Sequence, residues 1–90
     1  MFHEKSENMK FTADVIISLK KGVIDPEGEA TKKALNLLGF RNVNRVESMK
    51  IFRIELSAKT KEDAEDMLRD MCDRLLANPV IQDYSIRWVE

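Results

Sequence analysis

Few residues in this chain could do chemistry, and the first to weigh are Lys20, Lys21, Gly22 and Asp25 in the stretch LKKGVIDPEG. Two amines and a glycine just before a helix start could meet a phosphate at that helix's free N–H groups. No glycine-rich cradle of the P-loop kind accompanies them, and Asp25 already brings a negative charge to the helix end. The loop therefore reads more readily as a chain turn or a place to dock a partner. His3 is the sole histidine and lies in a polar, aperiodic lead, where a general base would lack a positioned partner. Cys72 is the sole cysteine and stands among Leu68, Met71, Leu75 and Leu76. That is a core thiol, since reactive cysteines need exposed, electropositive surroundings. Glu62, Asp63, Glu65, Asp66 and Asp70 alternate with Lys61 and Arg69, the pattern of a solvated helix face and not of a cation site. Met49, Met67 and Met71 read as core or adaptable interface. With no nucleophile, metal cluster or phosphate loop in view, the expected role is scaffold: a subunit serving chemistry done elsewhere.

The elements that would position these residues fit one small domain. The chain has 90 residues, 43% of them hydrophobic and 34% charged, which is too apolar for disorder and allows only a modest core. Residues 1–8 read as a flexible extension and 9–90 as the domain, with Met9 itself a reasonable start. Fifteen basic against sixteen acidic side chains leave a net charge of −1, so no general attraction to nucleic acid or an anionic membrane is expected. No apolar run approaches the roughly 18 residues of a membrane span, and a lone cysteine cannot close an internal disulfide. A soluble cytoplasmic protein follows.

Alternation of Phe11, Ala13, Val15, Ile17 and Leu19 predicts a first strand. Asp25 is a good N-cap, Pro26 suits the first helical position, Ala30, Ala34, Leu35 and Leu38 make an apolar stripe, and Gly39 stops the helix. Residues 43–58 predict one long, bent strand, because the apolar phase changes near Met49. Thr60 opens a second helix whose buried stripe is Ala64, Met67, Leu68, Met71, Cys72 and Leu75. Asn78 and Pro79 end it at a rigid corner, with Val80 and Ile81 expected to cover the end of the core. Tyr84, Ile86 and Trp88 alternate in a last strand. The fold class is α+β, in the order β-α-β-α-β: a small antiparallel-type sheet with two helices on one face, akin to half of a ferredoxin-like fold.

The other face of that sheet would carry Ile16, Met49, Ile51 and Val89 beside Arg53, Glu55 and Arg87. Apolar residues there, together with unpaired sheet edges, make those four the oligomer-interface candidates and at least a dimer the expected state.

LKKGVIDPEGEATKKALNLLGF, residues 19–40, and MCDRLLANPVIQDYSI, residues 71–86, together resemble the PurS family, the small subunit of phosphoribosylformylglycinamidine synthase in bacteria and archaea. The likeness runs from Met9 to nearly the last residue. It implies a dimerising subunit without an active site, bridging a synthetase subunit, PurL, and a glutaminase subunit, PurQ. The assembled enzyme converts formylglycinamide ribonucleotide to the formylglycinamidine in purine synthesis. On that resemblance this chain holds no cofactor, and ATP, Mg and glutamine are used by the partner subunits. Lys20, Lys21, Gly22, Asp25, Pro26, Gly28, Asn78 and Pro79 become family-signature, partner-docking candidates. The family usually carries Gly-Lys where this chain has Met49-Lys50. The alternative from the residues alone is a small-molecule regulatory module of ferredoxin-like type, binding an amino acid at a sheet–helix dimer interface.

Overall fold

The structure, a computed structural model, describes residues 8–89. The extension expected over residues 1–8, and His3 with it, therefore lies outside the described residues apart from Asn8. Strand β1 spans Met9–Leu19, helix α1 Pro26–Leu37, strand β2 Lys50–Ala58, helix α2 Lys61–Met71 and strand β3 Gln82–Val89. The sheet order is β2-β1-β3, with β1 antiparallel to both neighbours. β2 and β3 consequently run parallel, and α2 is the crossover between them. The α+β class, element order and antiparallel sheet are those the sequence predicts.

The core lies between one sheet face and α2. Ala13, Val15 and Ile17 of β1 and Leu56 and Ala58 of β2 meet Ala64, Leu68, Cys72 and Ala77. Phe52, Ile54, Tyr84 and Ile86 surround them, only partly buried. Thr60 caps α2 by accepting from the Asp63 N–H at 3.0 Å.

Helix α1 lies elsewhere than expected. Of its twelve residues only Gly28 is buried, and none belongs to the core. Leu35 is half-buried, whereas Ala30, Ala34 and the following Leu38 are exposed. A 3.6-residue stripe states that a helix has a partner surface but not whose surface it is. One helix, not two, thus covers this chain's own sheet. The chain is correspondingly elongated, with extents of 62 × 27 × 17 Å and a radius of gyration of 18.0 Å, where a compact chain of this length would have about 12 Å.

The expected long strand is also shorter. Only Lys50–Ala58 is strand; residues 43–49 run back irregularly from the end of α1. Their backbone is engaged by the base of α1, as described below, instead of by a sheet ladder.

The end of α2 shifts its stripe. Residues Cys72–Leu76 form a π-helical turn closed by Ala77 N–H donating to Cys72 O at 3.0 Å. The wider turn brings Leu76 against the core and leaves Leu75 82% exposed. Met67, at 42%, also lies largely outside the expected stripe. Val80 is 79% exposed and so does not cover the core's end.

Candidate docking arm and its base

Helix α1 and the returning chain to Ser48 form an arm that leaves the sheet at Asp25. The sequence DPEG builds its base. Asp25 Oδ1 accepts from the Gly28 N–H at 2.9 Å, capping the helix, and from Ser48 Oγ at 2.7 Å. Its Oδ2 accepts from the Ser48 N–H at 2.8 Å. One carboxylate thereby joins the two ends of the arm, 23 residues apart. These three donors hold the Asp25 carboxyl below its ordinary pKa, the Ser48 amide being the largest influence. Pro26 stands in the first turn, where no N–H is wanted. At Gly28 a Cβ would lie 2.4 Å from the Val46 carbonyl oxygen and 2.6 Å from Asp25 Oδ2. Only glycine lets the returning chain approach the helix this closely.

The tip is closed locally. Gly39 adopts φ +106°, the left-handed stop its position predicts. Phe40 N–H donates to Leu35 O at 3.0 Å, and Asn36 Nδ2 donates to Phe40 O at 2.8 Å. The apolar side chains of this region face solvent: Leu37 is 82% exposed, Leu38 74% and Phe40 55%. Lys32, Lys33, Arg41 and Arg45 balance Asp25, Glu27, Glu29 and Glu47, so the arm is neutral as a whole, with Lys32, Lys33 and Arg41 toward its tip.

The two signature stretches meet at the sheet end from which the arm departs. Lys20 N–H donates to Ile81 O at 2.8 Å, and its ammonium pairs with Asp83 at 3.6 Å. Lys20 and Pro79 share the lining of one cavity of about 300 Å³. Lys20, Lys21, Gly22, Asp25 and Ser48 line another of about 460 Å³ under the arm. Gly22 adopts φ +89° in the turn that precedes Asp25. Asn78 does not bond the helix's last carbonyls. Its Oδ1 accepts from the Val80 N–H at 3.0 Å and its carbonyl from the Gln82 N–H at 2.8 Å, which turns the chain into β3.

The oligomer candidates divide. Ile16 and Ile51 are direct cross-strand neighbours on the open face, Ile16 half-buried and Ile51 54% exposed. Val89 sits opposite Thr12, and Met49, 54% exposed, precedes β2. The larger apolar exposure, on Leu37, Leu38 and Phe40, was not among the sequence candidates. The signal was present in the run LNLLGF, where apolar residues exceed what one stripe requires.

The open face also holds a charged row. Asp14 lies opposite Arg53 on one side and Arg87 on the other. Its carboxylate accepts from Arg53 Nε at 2.7 Å and Arg87 Nη2 at 3.2 Å, and its side chain is 2% exposed. The hydrogen bond from Arg53 lowers its pKa to about 2 against burial's opposing pull, with Arg87 adding to the effect. A carboxyl depressed on folding stabilises the fold above its unfolded value, ordinarily 3.8, and that stability is lost as pH falls toward about 2. Acid titration followed by circular dichroism is expected to show Asp14→Asn losing less stability than the parent chain between pH 4 and 2. Equal losses would contradict this role for Asp14.

None of these groups is set up for catalysis. Cys72 is fully buried, and burial pushes its thiol pKa up, keeping it protonated. Two of the five α2 carboxylates are held in i,i+4 pairs, Glu65 with Arg69 at 2.8 Å and Asp70 with Arg74, beyond the helix end, at 3.2 Å. Among the described residues no group of three or more His, Cys, Asp or Glu could hold a metal ion. No described helix is long and apolar enough to cross a membrane.

Comparison with known proteins adds to this geometry. Residues 12–90 match the family model described as PurS, phosphoribosylformylglycinamidine (FGAM) synthase. The chain is 60% identical over 78 residues to the phosphoribosylformylglycinamidine synthase subunit PurS of Archaeoglobus fulgidus, covering 87% of this chain and 98% of that one. It resembles the crystal structure of Methanocaldococcus jannaschii PurS, one of the subunits of formylglycinamide ribonucleotide amidotransferase. The TM-score is 0.80 at 45% identity over 89% of this chain and 96% of that one. A PurS-like chain in the structure of PurLQS from Thermotoga maritima gives a TM-score of 0.85 at 27% identity, over 90% and 99% of the two chains.

Proposed function

The chain belongs to the PurS family, and from that membership we propose that it is the non-catalytic small subunit of a phosphoribosylformylglycinamidine synthase. In this role it bridges a glutaminase subunit, PurQ, and a synthetase subunit, PurL, in the cytoplasm. ATP, Mg and glutamine are then bound by those larger subunits, and this chain holds no cofactor. The observation that carries the reading is the arm: a well-capped helix with its leucines outside the chain's own core. Joints of that quality serve geometry, since a solvent-facing leucine pair gains nothing until something covers it.

The first thing to cover it is a second copy. The partner's sheet has room beside its single helix, where Phe52 and Ile54 are only partly buried. Its α2 carries five carboxylates and two cations, complementary to Lys32, Lys33 and Arg41 on the outer part of the arm. A dimer with each arm laid across the other copy's β2 side restores two helices per sheet. The open-face residues Ile16, Met49, Ile51 and Val89 and the Lys20–Pro79 end then remain as surfaces for the larger subunits. Sizing the protein with both larger subunits, glutamine and ADP tests the bridge. A single species containing all three chains is expected; separate elution of this chain under those conditions would refute it. The cavity beside Lys20-Lys21-Gly22 is the place an amino acid would occupy in a regulatory module, and saturable amino-acid binding by calorimetry would favour that reading instead.

A further inference from the structure

We propose that Asp25 and Ser48 form a latch that sets the angle at which the arm leaves the sheet, and that assembly depends on that angle. The inference rests on the docking role above and names the residues that control it. The arm is a closed excursion: the chain leaves the sheet after Leu19 and re-enters at Lys50. Its two legs are tied at one level by the Asp25 carboxylate, through Gly28 N–H on the outgoing leg and both Ser48 donors on the returning leg. The Val46 carbonyl seated against Gly28 fixes the same level sterically. None of Asp25, Gly28, Val46 or Ser48 belongs to the core under α2. The latch therefore contributes to where the arm points and little to whether the sheet folds. A helix whose direction is set at one end behaves as a lever, so a small opening at Asp25 becomes a large displacement at Leu38.

Arg41→Cys on the arm and Lys10→Cys on the sheet, both exposed, accept spin labels while buried Cys72 stays unreacted. Dilution into excess unlabelled chain makes pulsed electron resonance read the distance within one chain. Narrow distributions are expected for the parent latch and for Ser48→Thr, which keeps the hydroxyl. Ser48→Asp, which places a second carboxylate against Asp25, is expected to broaden the distribution and weaken assembly with the two larger subunits at least tenfold, with an unchanged circular dichroism spectrum. A narrow distribution in Ser48→Asp, or a broad one with undiminished assembly, would overturn the proposal. Failure of the parent chain itself to assemble would instead remove the bridging role and leave the distance measurement to judge the latch.

Discussion

With Leu37 and Leu38 both replaced by aspartate, the protein is expected to be a folded monomer. The two side chains are 82% and 74% exposed in the single chain, so their replacement removes nothing from its core and should leave the circular dichroism of the sheet and α2 unchanged, while the melting point falls as the contribution of association is lost. Burying a leucine fully stabilises by about 1.5–3 kcal/mol. Each of the two arms would bring both leucines under cover in the dimer, so losing all four costs roughly 6–12 kcal/mol, a weakening of self-association of about 10⁴-fold or more. Buried carboxylates without partners add to that cost. Light scattering across a concentration series reads the result directly. A dimer mass at low micromolar concentration, equal to that of the parent chain, would mean the arm is not the self-association surface.

Gly28→Ala is expected to be severe for so small a change. The new methyl group would lie 2.4 Å from the Val46 backbone oxygen, which has little room to give, and 2.6 Å from the capping carboxylate, a side-chain end already held by Gly28 and Ser48. Overpacking of this kind costs about 1–3 kcal/mol. The helix propensity gained over glycine returns at most about 1 kcal/mol. The visible consequence should be local: faster hydrogen exchange at the first amides of α1 and at Ser48, and a lower mid-point for loss of α1 helicity. Glu29→Ala, exposed one residue later, is the control and should shift stability by no more than about 0.5 kcal/mol. Identical exchange in Gly28→Ala and parent would mean the returning chain does not depend on that contact.

What the sequence could and could not disclose follows from the range of each interaction. Asp25, Pro26, Gly39 and Thr60 were legible because caps and left-handed stops involve neighbours three or four residues away. The alternation of β1 was legible for the same reason. Leu75 was misplaced because nothing local marks a π-helical turn, and one extra residue in the turn moves burial from Leu75 to Leu76. The surroundings of Asp14 depend on the registers of both neighbouring strands, which only the assembled sheet specifies. Gly28 stood out as a signature residue, but its reason is a carbonyl 18 positions downstream, Val46, brought back by the arm. The arm is the instructive case. Ala30, Ala34, Leu35 and Leu38 truthfully announced an amphipathic helix, and the assumption that it faced this chain's own sheet was the error.

On the proposed function, this small chain contributes position and no chemistry to an enzyme made of larger subunits. Reconstituting the synthetase and glutaminase subunits with and without it, and comparing rates driven by glutamine and by ammonium salts, decides the matter. Omission is expected to abolish glutamine-driven turnover while some ammonium-driven synthesis persists. Equal glutamine-driven rates in the two mixtures would contradict it.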